Sequence, residues 1–185
     1  MRYPLIELAG GALFAGAAAQ LGYNWDLPAF LVLLAGLLAL ACIDVERLIL
    51  PKKIVYPTLV LVGGLLVLAA GLSDDWHKLL VATACAVAWF LVFFAMNALS
   101  PRVLGFGDVR LAPVLGLGLG WLGWQYVVLG FFAANLIGAV IGVTLIATKR
   151  MRRDQQIPYG VFLALGAALA IFAGPEILAP LQRFL

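Results

Sequence analysis

Nine of the 185 residues are carboxylates, and their positions decide what chemistry the chain can support. Asp26, Asp74, Asp75 and Glu176 stand at breaks between apolar runs or in the tail, and Asp154 sits beside Arg152 and Arg153. Those five read as solvated loop charge. Glu7 lies one turn into the first apolar run, where a carboxylate is expensive unless it reaches the interface, pairs with a neighbouring helix or supports a nearby site. Three remain. Asp44 and Glu46 follow the unbroken apolar stretch 31–43, and Asp108 follows Gly105-Phe106-Gly107. The two glycines there permit close approach and backbone conformations closed to bulkier residues, so this segment can form a loop that dips to the depth of Asp44. Glu46, two residues from Asp44, points to a different side of a helix and is the poorer partner.

Asp44 and Asp108 are therefore the pair with chemical potential. Two like charges within a few ångströms cannot both ionise cheaply, so such a pair shares one proton and titrates as a unit. The ionised member can take a proton from water as it attacks a carbonyl. The protonated member can hydrogen-bond the developing oxyanion and later protonate the leaving nitrogen. Peptide hydrolysis by this route needs no metal and no cofactor. The spacing equally permits a plain structural role, in which the two aspartates form interfacial ion pairs with Arg47 and Arg110.

Other chemistries are poorly served. Asp74-Asp75-Trp76-His77 offers two adjacent carboxylates and one imidazole, a weak set for a divalent cation. Cys42 and Cys85 lie within apolar stretches and read as small buried hydrophobes, and no zinc-type spacing occurs. A formal charge of +3 and pI of about 9.1 do not signal nucleic-acid binding here, because basic patches interleaved with polar surface are absent.

The elements that must position the aspartates are transmembrane. A chain with 65% hydrophobic and 11% charged residues and a mean hydropathy of +1.09 is an integral membrane protein with almost no length for a water-facing domain. Apolar runs predict an all-α polytopic bundle, one domain over 1–185, with about seven spans near 4–21, 28–43, 54–72, 79–99, 111–124, 126–148 and 158–173. The second, fifth and seventh are short, and demoting the fifth gives six. With the N-terminus inside, ten of the twelve cations (Arg2, Arg47, Lys52, Lys53, Arg102, Arg110, Lys149, Arg150, Arg152 and Arg153) fall on the cytoplasmic side, leaving Lys78 and Arg183 outside. That bias favours seven crossings, an external segment 174–185 and an outer aromatic belt of Trp25, Trp76, Trp121 and Trp124. Gly116 with Gly120, and Gly138 with Gly142, are four residues apart and predict close helix contacts.

With the residues read this far, the chain resembles the type IV prepilin peptidases, intramembrane aspartic proteases of the Gly-x-Gly-Asp class. The resemblance rests on Gly105-Phe106-Gly107-Asp108-Val109-Arg110-Leu111, on Ile43-Asp44-Val45-Glu46-Arg47-Leu48-Ile49-Leu50-Pro51, and on Ile157-Pro158-Tyr159-Gly160 with Phe162-Leu163-Ala164-Leu165-Gly166. Arg2-Tyr3-Pro4-Leu5-Ile6-Glu7-Leu8 is similar to the opening of that family's membrane core. It implies that Asp44 and Asp108 are catalytic and that Gly105, Phe106 and Gly107 shape their loop. It further implies a prepilin or pseudopilin precursor as substrate, cut after a glycine that ends a short basic leader at the cytoplasmic edge of the bacterial inner membrane. Glu7, Arg47, Arg110, Pro158, Tyr159 and Gly160 are the further candidates for substrate contact. Many family members carry an acidic residue after Leu50-Pro51; Lys52 and Lys53 stand there instead and are read as contacts to lipid phosphates. The larger relatives carry an N-terminal domain with paired cysteines associated with zinc and methylation, so peptidase activity without methyltransferase activity is expected. Oligomeric state is left open.

Two rival readings make different demands. A small transporter would need a polar path through the bilayer, whereas Asn97 and Asn135, the candidates for one, lie within spans but away from mid-membrane. A non-catalytic assembly factor gripping pilin-like helices would not need the carboxylates at all.

Overall fold

The computed structural model describes residues 3–99, 104–148 and 158–182. Among them the chain forms seven helices: α1 (Tyr3–Leu21), α2 (Leu27–Arg47), α3 (Lys52–Ser73), α4 (Trp76–Leu99), α5 (Phe106–Leu122), α6 (Trp124–Ala147) and α7 (Tyr159–Gln182). Arg2, Arg102, Lys149, Arg150, Arg152, Arg153, Asp154, Ile157 and Arg183, used above for orientation, loop charge and motif, lie outside the described residues.

Six of the seven helices are long and apolar enough to cross a membrane, which makes this a multi-pass membrane protein. The exception is α5, whose 17 residues reach about 25 Å at 1.5 Å per residue, short of a ~30 Å hydrocarbon core. Its surroundings explain why that length suffices. Twelve of its residues are buried, and it packs against α2, α3, α4, α6 and α7. A helix sheathed in protein need not match the lipid thickness. Glycine sets how closely α4 approaches it: a Cβ on Gly116 would lie 2.7 Å from Ala86 Cα, and one on Gly120 would lie 2.7 Å from Cys85 Cβ. These contacts run 116 against 86 and 120 against 82, so α4 and α5 are antiparallel, and the direction alternates through all seven helices. Between α6 and α7 the tightest approach is Gly166 on Gly130 and Ala134, one turn or two from the expected Gly138, which instead meets the Phe162 ring.

Several helix ends differ from the sequence expectation, each for a local reason. Gly105 takes an extended conformation (φ −68°, ψ 146°) and caps α5, so the helix starts at Phe106, and Phe106 and Gly107 are its first turn rather than a loop. Gly123 alone separates α5 from α6 at φ 136°, a value L side chains rarely adopt, and Trp124 therefore opens α6 instead of closing α5. α7 runs through Pro175 and Pro180 to Gln182, so most of the segment expected as an external tail is helix. Gly174 lies against Tyr126 of α6 there, and neighbouring helices make proline tolerable in such a setting.

The end of the bundle remote from Asp44 corrects two further expectations. Trp25, Trp76 and Trp124 are exposed, but Trp121 is buried and its indole Nε1 donates to Asp26 Oδ2 at 2.9 Å. Lys78 Nζ sits 5.9 Å from the centroid of the same indole. Asp26 is thus a tie between the start of α2 and the end of α5, not a free solvated charge, and Trp121 is not a member of an exposed belt.

Candidate active site

Asp44 stands in the last turn of α2, where its carbonyl accepts the Leu48 N–H at 2.9 Å. Leu48 turns through the left-handed region (φ 52°) and swings residues 49–51 sharply into α3, whose cap Pro51 is extended. Asp108 occupies the third position of α5, counted from the Gly105 cap. An acid at that position can reach back toward the cap and favours the positive end of the helix dipole, which is the local reason α5 starts where it does. Its Oδ2 lies 3.3 Å from where a Gly105 Cβ would be, so the carboxyl folds over the cap.

Both carboxylates are buried: 5% of Asp44 and 7% of Asp108 is exposed, and Thr58 is the one other buried polar or charged residue among the described residues. Thr58 uses its hydroxyl on the Ile54 carbonyl at 2.8 Å. The aspartates are close enough for their charges to interact. The first amides of α7, those of Gly160 and Val161, face the Asp44 carboxyl. Asp44 Oδ2 nonetheless makes no hydrogen bond, although it is shielded from solvent.

The alternative of ion pairs with arginine does not match this arrangement. Among the described residues neither aspartate forms an ion pair, and Arg47 is exposed at the end of α2. Arg110 is half-buried with its guanidinium 4.7 Å from the centre of the Phe106 ring, a cation over an aromatic face, and its Nε has no hydrogen-bond partner. Phe106 itself is half exposed beside Asp108.

Of the remaining candidates, Gly160 is the most tightly placed. A Cβ on it would lie 2.8 Å from Asp44 Oδ2 and 3.0 Å from Leu50 Cδ2, so only glycine fits without movement. Pro158 and Tyr159 are half-buried at the start of α7, and the Tyr159 hydroxyl donates to Asn135 Oδ1 at 3.4 Å, tying α7 to α6 beside the aspartates. Glu7 is exposed on α1, at the same end of the bundle but on its lipid-facing periphery. Glu46 is exposed, and Lys52 and Lys53 project from the first turn of α3. Two residues that sequence reasoning passed over also belong here. Asn97 Nδ2 donates to the Leu104 carbonyl at 2.6 Å and pins the approach to Gly105. Leu50, 8% exposed, wedges between Gly107 and Gly160. Asn97 was visible as a polar residue within a span and Leu50 as a member of the Asp44 motif, but neither showed which helices it would meet.

A surface depression lined by Tyr23, Asn24, Trp25, Leu27 and Pro28 lies at the opposite end and contains no carboxylate, histidine or cysteine.

The fold and this cluster define a multi-pass helical membrane protein that buries two facing carboxylates at one end of its bundle. Residues 31–143 match the type IV leader peptidase family, and the chain belongs to that family. It is 34% identical to a prepilin leader peptidase/N-methyltransferase of Stutzerimonas stutzeri over 99% of this chain and 62% of the relative. It is 32% identical to one from Pseudomonas aeruginosa over the same shares, and 36% identical to one from Burkholderia pseudomallei strain K96243 over 94% of this chain and 55% of the relative. The chain thus spans a little over half the length of these curated relatives. No solved structure matches it.

Proposed function

We propose that the chain is an aspartic endopeptidase that removes the short basic leader from prepilin or pseudopilin precursors, with Asp44 and Asp108 as its acid and base. One observation carries the reading: two carboxyls from separate helices are buried together, with no cation paired to either among the described residues. Desolvating two acids side by side is expensive for a structural element and useful for one that must exchange protons. Relatives bearing the name prepilin leader peptidase support the substrate class.

In this mechanism one aspartate is ionised and the other holds the shared proton. Asp44, its Oδ2 free of hydrogen bonds, is the member open to a water proton, and the α7 amides facing it favour the anion. Asp108 then hydrogen-bonds the developing oxyanion and gives its single proton to the leaving amine. The water oxygen bonds to the carbonyl carbon, the C–N bond breaks, and the amine leaves with the proton from Asp108. The site opens to the cytoplasm of the bacterial inner membrane: Arg47, Lys52 and Lys53 are exposed at its end of the bundle, as cytoplasmic edges require. Lys52 and Lys53 contact lipid phosphates there. Nothing favours a transporter, since among the described residues Thr58 is the one other buried polar group and its hydroxyl is already bonded.

The test is cleavage of a type IV prepilin by the purified protein in liposomes, read by mass spectrometry, with Asp44→Asn and Asp108→Asn in parallel. The expected result is an intact leader ending in glycine from the wild type and none from either folded variant. An uncut precursor with folded wild type, or cutting by the variants, overturns the proposal.

A further inference from the structure

Leu50 packs beside Gly107, the neighbour of Asp108, and beside Gly160, the neighbour of the Asp44 carboxyl. It belongs to the two-residue stretch between the left-handed Leu48 and the extended Pro51, so its backbone is fixed at both ends. A Cβ on Gly107, the residue before Asp108, would lie 3.0 Å from Leu50 Cβ. A Cβ on Gly160 would lie 3.0 and 3.2 Å from the two Leu50 methyls and 2.8 Å from Asp44 Oδ2. One face of this side chain therefore bears on α5 at the foot of Asp108, and its tip bears on α7 where α7 meets the Asp44 carboxyl. Both contact points are glycines, so the leucine touches backbone rather than side chains that could rotate away.

We infer that Leu50 is a positioning residue: a steric key between α5 and α7 that fixes the separation of Asp44 and Asp108. It touches neither water nor scissile bond in this role, and it acts through α5, which carries Asp108, and through α7, whose Gly160 lies against the Asp44 carboxyl. An ordinary core leucine would support the fold without governing that one distance. Misplacing reacting groups by about 1 Å can cost on the order of a hundredfold in rate, so the key need move α5 only slightly to matter.

The inference rests on the reading of Asp44 and Asp108 given above, and its test has one arm that does not depend on catalysis. In a Cys42→Ala, Cys85→Ala background carrying Asp44→Cys and Asp108→Cys, bifunctional thiol reagents of graded length report the separation of the two positions. With Leu50 present one length is expected to dominate; Leu50→Ala and Leu50→Val broaden the distribution, and Leu50→Met, which refills the volume, restores it. In the native-aspartate protein the Ala variant loses about 10–100-fold in kcat while KM stays within about twofold, and Leu50→Met recovers most of it. An unchanged cross-linking pattern in the folded Val and Ala variants overturns the inference, and so does a Met variant as defective as the Ala one. If the cross-links respond to Leu50 but the wild type leaves prepilin uncut, the peptidase reading falls and the spacer role stands.

Discussion

The two ends of the bundle use the same residue type in opposite ways. At one end Asp26 accepts a hydrogen bond on Oδ2 from the buried Trp121, its buried Oδ1 having none, and the part-exposed Asp75 accepts one from Lys78 at 2.7 Å. At the other, Asp44 and Asp108 are more deeply buried, have no ion-pair partner among the described residues, and leave Asp44 Oδ2 without a hydrogen bond. The general expectation is that buried charge is paired. One end comes nearer to it and ties α2 to α5 through Asp26 and Trp121, while the other departs from it where the fold brings α2, α5 and α7 to a point. Departures of this kind are where structure is surrendered to function.

The largest effect should come from breaking the unpaired end. Asp44→Asn keeps the shape and removes the proton acceptor, and a loss of about 10²–10⁴-fold in cleavage is expected of a general base. Tm, read by thermal scanning in detergent, should change little, because an amide oxygen can still accept from the α7 amides that face this position. A folded variant that still cuts would leave the two ends chemically alike. Gly160→Ala comes next. The added methyl drives into Asp44 Oδ2 and both Leu50 methyls, so kcat should fall about 10–100-fold. Gly64→Ala, in open space on α3, is its control and should leave cleavage unchanged and raise Tm slightly, as helical glycine is disfavoured by roughly 1 kcal/mol.

Asp26→Ala probes the paired end. It strands the Trp121 indole N–H, and leaving a buried donor unsatisfied costs about 1–3 kcal/mol, seen as a lower Tm with cleavage per folded molecule unchanged. Trp121→Phe, which removes the donor as well, should be milder for the hydrogen bond. Should Asp26→Ala abolish cleavage at full stability, the tie would be acting on Asp108 through the length of α5, and the division between the ends would fail.

Much of this division was legible beforehand. Asp44 and Asp108 stood out because nearly every other carboxylate fell in a polar break, and the glycines around Asp108 marked close approach. The number of helices followed from the apolar runs. What the sequence hid were facts that depend on which faces meet. Asp26 looked like a loop charge because its partner, Trp121, is 95 residues away. Trp121 looked like a belt residue because tryptophan at a span end usually is one. The Gly-Phe-Gly segment looked like a loop because glycine disfavours helix, yet Gly105 serves as the cap and an acid at the third position repays the start of α5 there. The Gly130 and Gly166 contact has no spacing within one helix to betray it. Leu50 is the extreme case, since its role lies wholly in what it separates.

The smallest effect belongs to Asp75, and its sign is fixed by its partner. The Lys78 hydrogen bond holds the Asp75 carboxyl below the usual carboxylate range, with a small opposing effect of burial. A folded-state pKa below the unfolded one means the pair stabilises at pH values above the ordinary carboxylate range, and the contribution disappears as pH falls through the depressed folded value. Both side chains are largely in solvent, so water and salt screen the interaction and Tm at neutral pH should barely move in Asp75→Asn. The difference should appear as a shallower decline of Tm on the acid side of the profile, and about 0.5 M NaCl should erase it. Asp75 also meets the Ser73 hydroxyl, which an amide oxygen can still engage, so the substitution chiefly tests the pair with Lys78. Cleavage should be untouched at every pH where the protein stays folded; a change in cleavage would mean that even a solvated pair at the far end reaches the aspartates.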